Sequence, residues 1–87
     1  MNVSLTKEEA DNLRRKKVVM SYHSATRWMN RLNFKKIEDV IQEGEIRKEG
    51  KNKYRAVMPI KGQKVAYVIF INIEDCIYVK TVGIARR

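Results

Sequence analysis

Residues 64–72, KVAYVIFIN, form the most apolar run of the chain and decide its fold. A short run that is rich in valine and isoleucine predicts a central β-strand that is covered at least in part on both faces. Turn signals bound the run, KGQ at 61–63 before it and IED at 73–75 after it. We therefore expect neighbouring, antiparallel strands at residues 53–60 and 76–82.

Alternation of side chains assigns faces within these flanking strands. In the last strand the pattern places Ile77, Val79 and Thr81 on one face and Val82 on the other. Pro59 has no amide hydrogen, which predicts a position at a sheet edge or at a strand end. A short polar strand at residues 45–48 precedes these strands and is joined to them by a turn.

The region before the sheet is predicted to contain a helical hairpin. Residues 21–34, SYHSATRWMNRLNF, repeat apolar side chains at helical spacing, which predicts a helix. This helix is expected to end near Asn33, with Asn33 in the left-handed conformation of a helix end. A second helix is expected from about residue 35 to Gly44. The hairpin should pack through Trp28, Met29, Leu32, Ile37, Val40 and Ile41 on Val65, Tyr67 or Ile69, Ile77 and Val79.

The N-terminal region begins with a helix signal. Thr6 and Glu9 have the spacing of a capping box, which predicts a helix over residues 7–16. The apolar face of this helix is thin, so we expect it at the edge of the domain or as an arm. A short strand at residues 18–20 follows it.

The order of these elements predicts an α+β fold in a single domain. We expect a helical hairpin packed on a mainly antiparallel sheet of four to five strands. The expected parts are a helical arm at residues 1–17, a core at 18–82 and a basic tail at 83–87. Eighty-seven residues leave room for one modest core only.

Composition narrows the classes of function. The chain carries a formal net charge of +9, which favours polyanionic partners, nucleic acid first. One cysteine and one histidine cannot build a thiolate zinc cluster, and the single Cys76 excludes an internal disulfide. No metal or other cofactor is expected. No run is apolar and long enough for a membrane span, and a cytoplasmic location is expected.

Two sets of cations are candidate phosphate ligands. His23, Arg27 and Arg31 recur at every fourth residue and form one polar stripe of the predicted helix. The stripe suits a phosphate, and it is equally the pattern of a solvated helix face. The same two interpretations apply to the basic run of residues 14–17. The expected nucleic-acid-binding residues are Arg14, Arg15, Lys16, Lys17, Lys53, Tyr54, Arg86 and Arg87.

One resemblance covers roughly residues 18–82. The segment Ser21-x-His23-Ser24-x-x-Arg27-Trp28-Met29-x-Arg31-x-x-Phe34, followed by Lys53-Tyr54-Arg55-Ala56, resembles a family of small domains of unknown function. That family carries a Thr-x-His-Ala-x-x-Arg-Met-x-x-Arg signature and then an Arg-Tyr-Arg-Ala-type strand. It is similar in turn to the BrnT-like branch of the RelE/ParE toxin superfamily, whose members share this order of elements.

The resemblance implies a toxin of a type II toxin–antitoxin pair that cleaves messenger RNA without metal. Such a reaction needs a base, an acid and cations that hold the phosphorane. The residues that the resemblance and the chemistry select as catalytic are His23, Arg27, Arg31, Arg55, Tyr78 and Lys80. RNA is then a more suitable partner than DNA, and a small acidic antitoxin is a possible protein partner.

Other interpretations of the same residues stay open. Tyr54 alternates with Ala56 and Met58 and is typical of a core residue, Lys80 suits a solvent face, and His23 near a helix start can cap or pack. The alternative functions are a basic nucleic-acid-binding module without catalysis and an adaptor for an acidic protein. The sequence leaves the oligomeric state undetermined.

Overall fold

The computed structural model describes residues 3–21 and 33–86 of the chain. Two helices and six strands lie in these ranges, in an α+β arrangement. In chain order the elements are β1 (Val3–Ser4), α1 (Lys7–Arg14), β2 (Lys17–Val19), α2 (Phe34–Glu43), β3 (Glu45–Lys48), β4 (Lys53–Ile60), β5 (Lys64–Ile73) and β6 (Cys76–Arg86). The first helix of the predicted hairpin falls on residues outside the described ranges.

The six strands form one open sheet in the order β1-β3-β4-β5-β6-β2. All neighbouring pairs are antiparallel except β2 and β6, which run parallel at one edge. β5 therefore lies in the middle, as the apolar run predicts. Pro59 lies near the end of β4 and beyond the last residue that pairs with β3, so its missing amide hydrogen breaks no ladder there.

The helices cover one face of the sheet. Ala10 and Leu13 of α1 and the apolar stripe of α2 are buried against it. The predicted stripe of α2 is confirmed for Ile37, Val40 and Ile41, whereas Trp28, Met29 and Leu32 lie outside the described residues. The buried sheet residues are Ile46, Tyr54, Ala56, Ala66, Val68, Phe70, Ile77, Val79 and Val82.

The predicted face of β5 is wrong. Ala66, Val68 and Phe70 pack under the helices, and Val65, Tyr67 and Ile69 point to the other side. Apolar residues occupy both faces of this strand, so alternation within it cannot show which face meets the helices.

A β-bulge changes the face assignment of β6. Phe70 pairs with Val79 and Ile69 pairs with Thr81, which leaves Lys80 without a partner on β5. The extra residue shifts the alternation, so Val82 and not Thr81 joins Ile77 and Val79 in the core. The predicted basic tail is also corrected, because β6 continues through residues 83–86 and Arg86 pairs with Lys64.

The N-terminal helix belongs to the core more closely than an arm would. The capping box is confirmed, since Thr6 Oγ1 accepts from the Glu9 amide at 3.2 Å and Glu9 Oε1 accepts from the Thr6 amide at 3.3 Å. The helix ends at Arg14, where the guanidinium donates from Nε to the carbonyl oxygen of Ile41 at 3.0 Å and from Nη2 to that of Gly44 at 2.8 Å. α1 is thereby fixed to the C-terminal end of α2.

Both ends of α2 have distinct caps. Asn33 has φ −75° and accepts from the Lys36 amide at 2.7 Å, so it is the N-cap of α2 and not a left-handed helix end. Gly44 ends the helix as predicted, in an extended conformation. A Cβ at Gly44 would meet the Val40 carbonyl oxygen and lie 2.6 Å from that of Val57. The close approach of α2 to β4 therefore requires glycine.

Candidate nucleic-acid interface

The face of the sheet opposite α1 and α2 is the candidate site, and we call it the open face. Its side chains come from the strand positions that alternate with the core positions. Each of them is half-buried or exposed, apart from Gly83, which has no side chain. The central members are Lys53, Arg55, Val57, Tyr67, Ile69, Ile71, Tyr78, Lys80, Thr81 and Gly83.

Cross-strand pairing arranges these side chains in rows. One row runs from Lys53 through Ile71 and Tyr78 to Val19 on β2. The next row runs from Arg47 on β3 through Arg55 and Ile69 to Thr81. Adjacent strands lie about 4.8 Å apart, so the β4 cation of each row is roughly 10–15 Å from the residue at the β6 or β2 end of that row.

Arg55 is held on the open face by two contacts. Its Nε lies 2.8 Å from Oε2 of Glu49, and its guanidinium carbon lies 5.6 Å from the centre of the Tyr67 ring. The orientation of the Arg55–Glu49 ion pair does not satisfy hydrogen-bond angles, and the buried Nε hydrogen has no hydrogen-bond partner among the described residues. Because Nε is buried against the Glu49 carboxylate, only the exposed part of the guanidinium beside the ring can reach a ligand.

Some cations of the open face form ion pairs with carboxylates, and others do not. Arg47 forms an ion pair with Glu45, as Arg55 does with Glu49. No ion pair within the described part of the chain involves Lys17, Lys53 or Lys80, and all three side chains are exposed. The cations of this face that lack an ion pair among the described residues therefore lie on β4, β6 and β2 and not on β3.

Several residues of the predicted site occur together on this face. Arg55, Tyr78 and Lys80 from the catalytic set lie there, and so do Lys17 and Lys53 from the binding set. His23, Arg27, Arg31 and Arg87 lie outside the described residues.

Of the other predicted binding residues, three have contacts that hold the fold together and two are exposed. Arg14 binds helix carbonyls, and the Lys16 ammonium donates to Asn72 Oδ1 and to the Ile73 carbonyl oxygen. Tyr54 is buried on the helix side, where its ring stacks on Phe70 with centroids 5.7 Å apart. Arg15 is exposed at the C-cap of α1, and Arg86 is exposed at the end of β6.

Tyr67 and Arg47 are site residues that sequence reasoning missed. The sequence pattern predicts Tyr67 on the helix-covered face, because β5 is apolar on both sides. Its pairing partner Val57 is on the same face as Arg55, and that parity is the one signal that could have found it.

No group of three or more His, Cys, Asp or Glu side chains that could hold a metal ion occurs in residues 3–21 and 33–86. Among the helices in these ranges, neither is long and apolar enough to cross a bilayer. The open face combines cations with tyrosines and aliphatic side chains, a combination that suits phosphates and unpaired bases.

Comparisons with protein-family models, with curated proteins and with solved structures find no significant match to this chain.

Proposed function

We propose that this protein binds single-stranded RNA on the open face of its sheet. The observation that carries the proposal is the placement of Tyr67 and Tyr78 among half-buried aliphatic residues, with Arg55, Lys53 and Lys80 around them. Aromatic rings on an exposed sheet stack on unpaired bases, and lysines beside them contact the phosphates. The expected cytoplasmic location agrees with such a partner.

The spacing of the two tyrosines supports a short binding site. Tyr67 and Tyr78 lie two rows apart on neighbouring strands. Four residues of an extended strand span roughly 13 Å, which corresponds to a few nucleotides of an extended single strand. A duplex has its bases paired and stacked, so it offers these rings no free base face.

A direct test measures the affinity for a fluorescent ten-nucleotide oligouridine by anisotropy. Tyr78→Ala should weaken binding by about tenfold, since one stacked base contributes about 1–3 kcal/mol. Phe34→Ala is the matched control, because Phe34 is an exposed aromatic residue on α2 and away from the open face. It should leave the affinity unchanged within about twofold.

The DNA oligomer of the same sequence and an RNA hairpin separate the possible ligands. We expect the single-stranded RNA to bind at least as tightly as the DNA, and the base-paired stem to bind more weakly. If Tyr67→Ala and Tyr78→Ala both fold and bind oligouridine as the wild type does, the open face is not the binding site.

A metal-independent, toxin-like endoribonuclease is the second candidate. The specific observation in its favour is that Arg55, Tyr78 and Lys80, selected separately along the chain, share the open face. The RelE/ParE-like resemblance supports the same function. His23, the only histidine of the chain, would supply proton transfer near neutral pH.

Cleavage kinetics distinguish the two candidates. A catalyst loses rate abruptly when one side chain is removed, whereas a charged surface loses affinity gradually. For the nuclease, His23→Ala should abolish RNA cleavage and growth inhibition with the fold intact by circular dichroism. Arg27→Ala and Arg31→Ala should weaken both activities. A wild-type protein that binds RNA, leaves it intact and does not slow growth has the binding function alone.

A further inference from the structure

Within residues 3–21 and 33–86, the outer side of β6 has a partner strand only along its first residues. β6 spans Cys76–Arg86, but β2 pairs with Cys76, Ile77 and Tyr78 only. No strand in the described part of the chain pairs with the outer side of residues 80–86, which we call the outer edge. On the inner side the same residues pair with β5 as far as Arg86. Alternate backbone amides and carbonyls of the outer edge therefore face away from the sheet.

The pairing of β2 with β6 stops at Val19, opposite Tyr78, so β2 reaches only the first three residues of β6. Ile84 on the outer edge keeps 42% of its surface exposed, and Ile73 at the end of β5 is the other large apolar residue of the described strands that is exposed. The outer edge thus combines backbone that no described strand pairs with and an exposed apolar side chain.

We propose that the outer edge receives an extended acidic segment of a partner protein as an additional strand of the sheet. Backbone hydrogen bonds would supply affinity, as in other cases of strand addition, and side chains would supply selectivity. Lys80 and Arg86 are exposed at the two ends of the outer edge, and Lys64 pairs with Arg86. An extended segment with acidic residues at both ends and an apolar residue opposite Ile84 fits this pattern.

Charge argues against a second copy of this chain as the occupant. An antiparallel pair of two outer edges centred on Gly83 would place Lys80 opposite Arg86 at both ends, and like charges in direct opposition are destabilising. Each copy also carries a formal net charge of +9. The bulge at Lys80 and the flanking cations are the usual features that keep an edge from pairing with any available strand.

The proposal does not rest on RNA binding, because backbone groups at the rim of the sheet carry it; Lys80 is the cation that the outer edge shares with the open face. The probe is the synthetic peptide Glu-Glu-Val-Thr-Val-Thr-Val-Glu-Glu with blocked ends. The controls are two versions of this peptide with alternate backbone amides methylated. One is methylated at the odd-numbered positions and the other at the even-numbered positions. Methylation removes hydrogen bonds without changing charge or side chains.

Hydrogen exchange of the intact protein locates the contact. We expect the unmodified peptide to slow exchange at alternate amides of residues 80–86 by at least about tenfold, and one methylated peptide to lose this effect. Lys80→Glu should weaken the peptide by about threefold or more. Lys35→Glu is the matched charge change on α2, which packs on β4 and β5, and should have a smaller effect.

Four results would overturn the proposal. The first is a peptide that does not bind, and the second is a peptide that protects only amides elsewhere. Outer-edge amides that are already protected in the free protein, independently of its concentration, would show that the chain covers its own edge. Protection that rises with protein concentration and without peptide would identify a second copy as the occupant.

Discussion

The ring of Tyr67 lies across Gly83 on the neighbouring strand. The two residues form a cross-strand pair, and a Cβ at Gly83 would fall 2.5 Å from Cζ of Tyr67. The same ring carries the Arg55 guanidinium 5.6 Å from its centre. Glycine on β6 thus allows the ring to lie flat on the sheet, and the ring in turn positions a cation of the open face.

Gly83→Ala should displace Tyr67 and disturb the contact with Arg55. Because the clash involves the end of a side chain that can rotate, we expect a loss of only about 1–2 kcal/mol in the free energy of unfolding. The affinity for oligouridine should fall as well. Urea denaturation and anisotropy measure the two effects. Gly50→Ala is the control, since its nearest heavy atom would be Lys53 Cβ at 3.5 Å, and it should change neither quantity.

Gly44→Ala should be far more destabilising than Gly83→Ala. At Gly44 the new methyl group would meet backbone carbonyl oxygens of both Val40 and Val57, and neither can rotate away. We expect a loss of about 3 kcal/mol or more, as for other changes that force packed backbone apart. Thermal denaturation followed by circular dichroism ranks the two variants. Equal melting temperatures would show that α2 shifts on β4 at little cost.

Arg14→Ala should destabilise the fold and leave RNA binding of the folded protein nearly unchanged. The substitution leaves the carbonyl oxygens of Ile41 and Gly44 without their donor, at a cost of about 2 kcal/mol. Arg15→Ala, an exposed neighbour, should cost less than about 0.5 kcal/mol. Urea midpoints of the two variants decide between a structural and a surface role. If Arg14→Ala is as stable as Arg15→Ala, the hydrogen bonds to α2 contribute little.

The salt dependence of RNA binding should report individual cations of the open face. Each phosphate contact that is removed lowers the slope of log affinity against log salt concentration by about 1. We therefore expect Lys53→Ala and Lys80→Ala to reduce the slope and Lys35→Ala on α2 to leave it unchanged. Titrations of oligouridine at several salt concentrations measure it. An affinity that is indifferent to salt would remove phosphate contacts from the interface.

A different kind of variant is required to test whether the basic run at residues 14–17 contributes to the salt dependence of RNA binding. Arg14 and Lys16 hold α1 and β5 in place, so replacing all four residues would mix stability with binding. Arg15→Ala combined with Lys17→Ala changes only exposed side chains. A lowered slope in this double variant would extend the interface to the β2 edge.

Local signals predicted those parts of the fold that depend on a few adjacent residues. The Thr6 capping box forms as expected, and Gly62 has φ +79° in the turn before β5. The bulge at Lys80 depends on pairing with β5 and has no signal in the β6 sequence itself, so the faces of Thr81 and Val82 were reversed. The role of Arg14 depends on residues about thirty positions away.

The part of the candidate site that could be predicted from the sequence consists of residues whose type alone indicates their chemistry. The cations Arg55, Lys53 and Lys80 and the ring of Tyr78 were identified from their residue types, and pairing brings them to one face. The missing member, Tyr67, required knowledge of which side of β5 meets the helices. That choice is made by packing of the whole domain, because both sides of the strand are apolar enough to be buried.

The parallel pairing of β2 with β6 has a consequence for how the chain folds. Lys17 near the start pairs with Cys76 near the end, so β2 has no partner until β6 has been synthesised. Contacts that are so distant along the chain must overcome a large loop-closure entropy, and they slow folding relative to local hairpins. The β4–β5 hairpin can form first, with one edge of the apolar strand β5 unprotected in the meantime. The interval before β6 pairs is therefore the stage at which a nascent chain is most open to aggregation.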